Sequence, residues 1–128
     1  MSTDRSKRLR KLLELQEQLK ALHETRHAQH VAAAVQAEAE ASEIAARFDD
    51  PDSFSSMFPE VYHRRINAAV TRRDRSRDAA DQEAGRVNAA NVRRGIVEDA
   101  YREAIRTAER TNGDRERLEI VERRLKPR

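Results

Sequence analysis

Residues 22–27 of the chain read LHETRH and contain the spacing H-E-x-x-H at His23, Glu24 and His27. On a helix, this spacing puts two imidazoles on one face, where they can bind zinc, with a glutamate that can activate a zinc-bound water. His30 follows one turn later and is a candidate third ligand. Taken alone, the motif is typical of a zinc-dependent protease.

The residues around the motif do not favour that chemistry. A zinc protease needs a substrate cleft and a ligand from another part of the fold, and its extended form needs a glycine turn after the second histidine. Here the chain continues as HAQHVAAAVQ, which favours an uninterrupted helix. We interpret His23, Glu24 and His27 as a coincidental match and predict no catalytic residue, no metal and no cofactor.

Composition favours long helices over a globular core. Of the 128 residues, 38% are charged and 4% are aromatic, and alanine is frequent among those counted as hydrophobic. Such a chain buries too little apolar area for a thick core. It has only three glycines and three prolines, which argues against disorder, and it has no cysteine for a disulfide or a thiol site.

A first helix is predicted over residues 4–47, which contain no glycine or proline, with Thr3 or Asp4 as its cap. Leucines at steps of three and four indicate a heptad seam: Leu12, Leu15, Leu19 and Leu22. The apolar stripe then drifts through Ala28, Val31, Ala32 and Val35 before Ala37, Ala41, Ile44 and Phe48. This drift predicts a stutter in the coiled coil.

Prolines and serines in FDDPDSFSSMFPE predict a loop over residues 48–58. Pro59 is suited to the first position of a second helix, with Ser55 or Ser56 near its cap, and this helix extends to 126. Gly113 predicts a kink at 112–113, and Gly85 and Gly95 suggest close helix contact. The second helix also has an apolar stripe: Ile66, Ala69, Val70, Ala80, Ala84, Val87, Val97, Tyr101, Ile105 and Ala108.

The predicted fold is all-α: a two-helix antiparallel coiled coil, or long α-hairpin, formed by a single domain over 1–128. The second helix is longer, so Leu118, Val121 and Leu125 have no predicted helix of the same chain to cover them. Both termini are basic, whereas 36–60 is acidic. The chain lacks an apolar run long enough to span a bilayer. Acids interleave the basic run at 72–78, so we expect no nucleic-acid partner.

The opening KRLRKLLELQEQLKALHETRHAQ (7–29) resembles the start of the flagellar export protein FliJ and its type III secretion relatives of the YscO type. The closing DRERLEIVERRLKP (114–127) is similar to the end of those proteins. The order of long helix, loop with proline and serine, and longer helix matches as well.

The resemblance implies a non-catalytic stalk that couples a hexameric export ATPase to a membrane export-gate protein, with export chaperones as further partners. It implies a cytoplasmic protein that is peripheral at the inner face of the membrane when assembled. The implied export-gate contact comprises Ala37, Ala41, Ile44, Phe48, Tyr62, Ile66, Ala69 and Arg73. The implied ATPase-ring contact comprises Lys7, Arg8, Lys11, Leu118, Val121, Arg123, Arg124 and Leu125.

A second interpretation stays open at this point. A generic coiled-coil adaptor or secretion chaperone would have the same composition and would bind a partner helix with its hairpin. Either function is compatible with a flagellar or a virulence-type system.

Overall fold

A computed structural model describes residues 2–126, with side chains from Asp4 onward. Helix α1 covers Ser2–Phe48, a one-turn 3₁₀ helix covers Phe54–Ser56, and helix α2 covers Pro59–Leu125. No strand occurs in the described range, and the prediction of an all-α chain with two long helices is confirmed. No helix in that range is long and apolar enough to cross a membrane.

The described chain divides into two compact units. One is Lys20–Asn88, which we call the loop unit; the other combines the chain up to Leu19 with the chain from Ala89 onward, which we call the terminal unit. Each unit contains part of both helices.

Antiparallel pairing in the loop unit is shown by its cross-helix contacts. Near the loop, the ring of Phe48 meets that of Tyr62 edge to face, with 6.1 Å between centroids. Further along, Glu40 bonds Arg72, and His23 bonds Glu83 at the far end of the unit. In these contacts the residue numbers decrease along α1 as they increase along α2, so the two helices are antiparallel in this unit. In the terminal unit, Glu17 pairs with Arg94.

The seam of α1 is displaced from the predicted leucine stripe. Leu12, Leu15 and Leu22 are exposed. Leu19, the other leucine of that stripe, is half-buried. A continuous series of buried and half-buried positions instead follows uninterrupted steps of three and four: Leu9, Leu13, Gln16, Lys20, His23, His27, His30, Ala34, Ala37, Ala41, Ile44 and Phe48. The predicted stutter is therefore wrong, and Ala28, Val31, Ala32 and Val35 lie outside the seam. Polar side chains occupy the middle of this seam, so a hydropathy pattern does not show its heptad period.

The apolar stripe predicted for α2 is confirmed. All of its members are buried or half-buried, and Ala69 is fully covered. Alanines recur along this stripe and along the loop-proximal half of the α1 seam, so small side chains fill most of the buried positions. Such residues allow two helix backbones to approach closely but bury little area each.

The helix ends also differ in detail from the sequence predictions. Helix α1 begins at Ser2, so Thr3 and Asp4 lie inside it. Pro59 opens α2 as predicted, after a loop over 49–58. Helix α2 continues through Gly113, so the chain does not break there, and this glycine does not adopt a positive φ. Gly85 and Gly95 are not close contacts, since a Cβ added at either would meet no atom within 4 Å.

Candidate functional site

The three histidines of the sequence motif lie at successive seam positions of the loop unit. His23, His27 and His30 are all half-buried. Nδ1 of His23 lies 2.7 Å from Oε2 of Glu83, which is only 3% exposed. The other carboxylate oxygen of Glu83 accepts a bond of 2.6 Å from Arg86. The imidazole and the guanidinium therefore satisfy both oxygens of a buried carboxylate.

The electrostatics of Glu83 follow from these contacts. Burial is the largest single influence and raises the pKa of its carboxyl, because the ionised form loses hydration. The hydrogen bonds from His23 and Arg86, together with the charges of these two groups, outweigh burial, so the pKa lies below the ordinary value. Glu83 is therefore ionised at neutral pH. An ionised carboxylate only accepts hydrogen bonds, so Nδ1 of His23 must hold the proton between them.

Glu24 and His27, the other two residues of H-E-x-x-H, lie in different surroundings from His23. Glu24 is exposed and pairs with Lys20 at 3.8 Å. His27 lines an open groove of about 310 Å³ together with Arg77 and Asp81. Within residues 2–126, no group of three or more histidine, aspartate and glutamate side chains is placed to hold a metal ion. The three histidines lie here at seam positions of α1, and His23 joins α1 to α2 through Glu83.

Residues assigned to an export-gate contact lie together in the loop unit, but mostly within its seam. Ala37, Ala41, Ile44 and Ala69 are buried. Phe48, Tyr62, Ile66 and Arg73 are half-buried. The closed hairpin therefore presents little of this set to a partner, and its contact with an export gate stays a prediction.

Arg73 makes contacts that the sequence pattern did not indicate. Its guanidinium bonds Glu38 across the hairpin at 2.6 Å and Asp74 on its own helix at 3.0 Å. The bonds to Glu38 and then Asp74 are the main causes that raise the pKa of Arg73 above its ordinary value. Arg72 adds a bond of 2.8 Å to Glu40. The pairs Arg73–Glu38 and Arg72–Glu40 connect the two helices beside the alanine seam.

Residues assigned to an ATPase-ring contact belong to the terminal unit. Lys7, Arg8 and Lys11 are exposed on α1. Leu118, Val121 and Leu125 are exposed on α2, with Arg123 and Arg124 in its last turn. From Glu109 to Lys126, every residue except Gly113 is exposed. The unit thus combines basic side chains from both helices with an uncovered apolar strip.

Sequence reasoning missed two features of the loop unit. Glu83 lies in the polar run DQEAGR, and only the heptad count along α2 from Tyr62 identifies it as a seam position. Four large apolar side chains in the loop and the first turn of α2 are exposed: Phe54, Met57, Phe58 and Val61. No sequence pattern distinguishes an exposed loop phenylalanine from a buried one.

Comparison of the chain with protein-family models, with curated proteins and with solved structures finds no match.

Proposed function

We propose that this chain is a non-catalytic stalk of a flagellar or type III protein export apparatus, coupling the export ATPase ring to the membrane export gate. The two long helices and the resemblance of both chain ends to FliJ-type proteins support this proposal. A stalk acts by contact at its two ends and requires no catalytic group along its length.

The observation that carries the proposal is the uncovered end of α2. Leu118, Val121 and Leu125 are exposed on consecutive turns of α2. Arg123 and Arg124 lie in the last turn of the same helix. Burying such a strip stabilises a complex by roughly 25 cal/mol for each Å² removed from water. The cations accelerate association with a surface of opposite charge. An apolar strip with a basic flank therefore fits a partner that offers apolar side chains among carboxylates.

The alternative function, a coiled-coil adaptor or secretion chaperone, is favoured by a different observation. The groove beside His27 is lined by Val31, Ala34, Val35 and Ala80 as well as by charged side chains. Both valines are exposed and could pack against a partner helix. An adaptor of this kind would bind through the side of the hairpin and would not need the end of α2.

Binding to the hexameric export ATPase of the same organism discriminates the two functions. Leu118→Ala with Leu125→Ala should weaken ATPase binding and ATPase stimulation by about tenfold or more, equivalent to ~1.4 kcal/mol. The circular dichroism of the double variant should remain that of the unmodified chain. Val92→Ala with Ile96→Ala is the matched control, because these side chains are also exposed on α2 of the terminal unit.

A chain that shows no affinity for the ATPase would contradict the stalk function. Equal binding by the unmodified chain and the Leu118/Leu125 variant would contradict the role given to the end of α2. In the first case the adaptor function becomes the better explanation.

A further inference from the structure

The groove beside His27 is an uncovered apolar surface on the side of the loop unit. Its volume is about 310 Å³, and all of its lining residues lie within Lys20–Asn88. Ala34 on α1 and Ala80 on α2 are buried within it, and these small side chains leave room between the helices. Val31 and Val35 line the same groove and are 42% and 64% exposed. We call this surface, with Arg77 and Asp81, the side groove.

The part of the side groove that α2 contributes carries two charges of opposite sign, Arg77 and Asp81, one helical turn apart. The side chain of Arg77 is 58% exposed, and it contacts a carboxylate only at 3.9 Å, on Glu38. Asp81 is exposed and forms no hydrogen bond or ion pair with any residue of the described chain. Both charged groups are therefore available to a partner.

Other carboxylates within one turn of the side groove are paired with cations of the same chain. Their pairs are Glu24–Lys20, Glu38–Arg73, Asp74–Arg73 and Glu83–Arg86. Arg26, Arg75 and Asp78 are also within one turn, but they are exposed and do not line the groove. The unmatched carboxylate of the groove is that of Asp81, and the available cation beside it is Arg77.

The side groove is complementary to itself. Val31 and Val35 are four residues apart on α1, and Arg77 and Asp81 are four residues apart on α2. A two-fold axis through the groove and perpendicular to both helices would place Val31 of one copy on Val35 of the other. The same axis would place Arg77 of each copy against Asp81 of the other. An interface with two-fold symmetry uses one patch twice, so it requires this kind of self-complementarity.

We propose that the side groove is a contact between two copies of this chain, which pack face to face as four helices. In this dimer the valines of each copy enter the groove of the other, and two ion pairs form between Arg77 and Asp81. Seven lining residues from each copy bury less than about 1,200 Å² in total, so the dimer is weak and reversible. The end of α2 takes no part in it, so the contact is independent of the proposed stalk function.

Sedimentation of the full chain over a series of concentrations measures the dissociation constant of the dimer. Val31→Ser with Val35→Ser should raise this constant by about tenfold or more, because the apolar area covered by the second copy is lost. Val92→Ser with Ile96→Ser is the matched control, since it also removes two exposed apolar side chains. This control variant should dimerise like the unmodified chain.

Charge reversal tests whether Arg77 of one copy meets Asp81 of the other. Arg77→Asp and Asp81→Arg should each weaken the dimer, because like charges then face one another across the two-fold axis. An equimolar mixture of these two variants should dimerise again, because every contact in the mixed dimer joins opposite charges. Arg75→Asp and Asp78→Arg reverse exposed charges outside the groove and should leave dimerisation unchanged. Circular dichroism of each variant checks that its helices are retained.

Several results would overturn the dimer proposal. A chain that stays monomeric at every concentration leaves the side groove to a partner of another sequence. Equal dimerisation by the Val31/Val35 variant and the unmodified chain would place the contact elsewhere, as would a dimer lost in the Leu118/Leu125 variant. Failure of the mixed charge variants to dimerise would exclude the two-fold pairing. ATPase binding by the same preparations measures the stalk function separately, because that contact belongs to the terminal unit.

Discussion

The Nδ1 atom of His23 on α1 lies 2.7 Å from Oε2 of Glu83 on α2, so a hydrogen bond crosses the seam of the loop unit at a nearly buried carboxylate. The same carboxylate accepts from Arg86. Glu83 is thus the only seam position of α2 in the loop unit that carries an acidic side chain, and it is matched by two donors.

The first prediction concerns acid. The pKa of Glu83 is lower in the folded chain than its ordinary value of 4.5, so its ionisation stabilises the fold above that pH. This contribution should decline as pH falls through the lower, folded-state pKa. Glu83→Gln should lower the melting temperature at about pH 7. Between about pH 5 and about pH 3, the melting temperature of the variant should fall less than that of the unmodified chain. Parallel pH profiles for the two proteins would show that the bond contributes nothing to stability.

The second prediction concerns the seam histidines. A half-buried imidazole at a heptad position buries less apolar area than leucine would. His27→Leu with His30→Leu should therefore stabilise the hairpin, by about 1 kcal/mol for each substitution. Urea denaturation followed by circular dichroism measures the change. Gln29→Leu, at an exposed position of the same helix, should have little effect. A loss of stability in the double variant would mean that the seam cannot accommodate leucine there.

The third prediction concerns the glycines of α2. A Cβ added at Gly85, Gly95 or Gly113 meets no atom within 4 Å, and each glycine has an ordinary φ. Alanine at each position should stabilise the helix by roughly 0.5–1 kcal/mol, because glycine loses more backbone entropy. Melting temperatures of the three single variants test this. A decrease at Gly113 in particular would mean that the helix there needs the flexibility of glycine.

These features also show which parts of the fold follow from the sequence. Two helices and a loop could be predicted because residues 4–47 contain no glycine or proline and because Pro51 and Pro59 follow them. The α2 stripe was predictable because its aliphatic residues keep heptad spacing. The α1 seam was not, because Gln16, Lys20 and three histidines occupy it while Leu12, Leu15 and Leu22 are exposed beside it.

The candidate sites were predictable to a different extent. Exposure of Leu118, Val121 and Leu125 follows from the greater length of α2, which the loop position already determines. The contact between His23 and Glu83 depends on the register of the two helices, which no local pattern specifies. Exposure of Phe54 and Met57 depends on the bonds that fold the loop, and these connect residues up to seven positions apart.

The fourth prediction concerns the anchor of the loop. Oγ of Ser55 is buried and donates to the carbonyl oxygen of Phe48. Ser55→Ala leaves that carbonyl without this donor, and the free energy of unfolding should fall by about 1 kcal/mol. Ser56→Ala is the matched control, since Ser56 is exposed on the same turn. Equal stability of the two variants would indicate that water replaces the hydroxyl at no cost.

The fifth prediction separates the end of α2 from the stability of the hairpin. From Glu109 to Lys126, nearly every side chain is exposed, so this segment contributes little apolar burial to the terminal unit. Truncation after Asn112 should therefore reduce the helical signal in proportion to the residues removed, because a helix end without tertiary contacts adds only its own propensity. The melting temperature of the remainder should change by no more than about 2 °C, which corresponds to well under 1 kcal/mol for a chain of this size. In the stalk function, the same truncation abolishes ATPase binding. A truncated chain that melts much earlier would show that this segment stabilises the terminal unit, whereas one that still binds the ATPase would place the ring contact elsewhere.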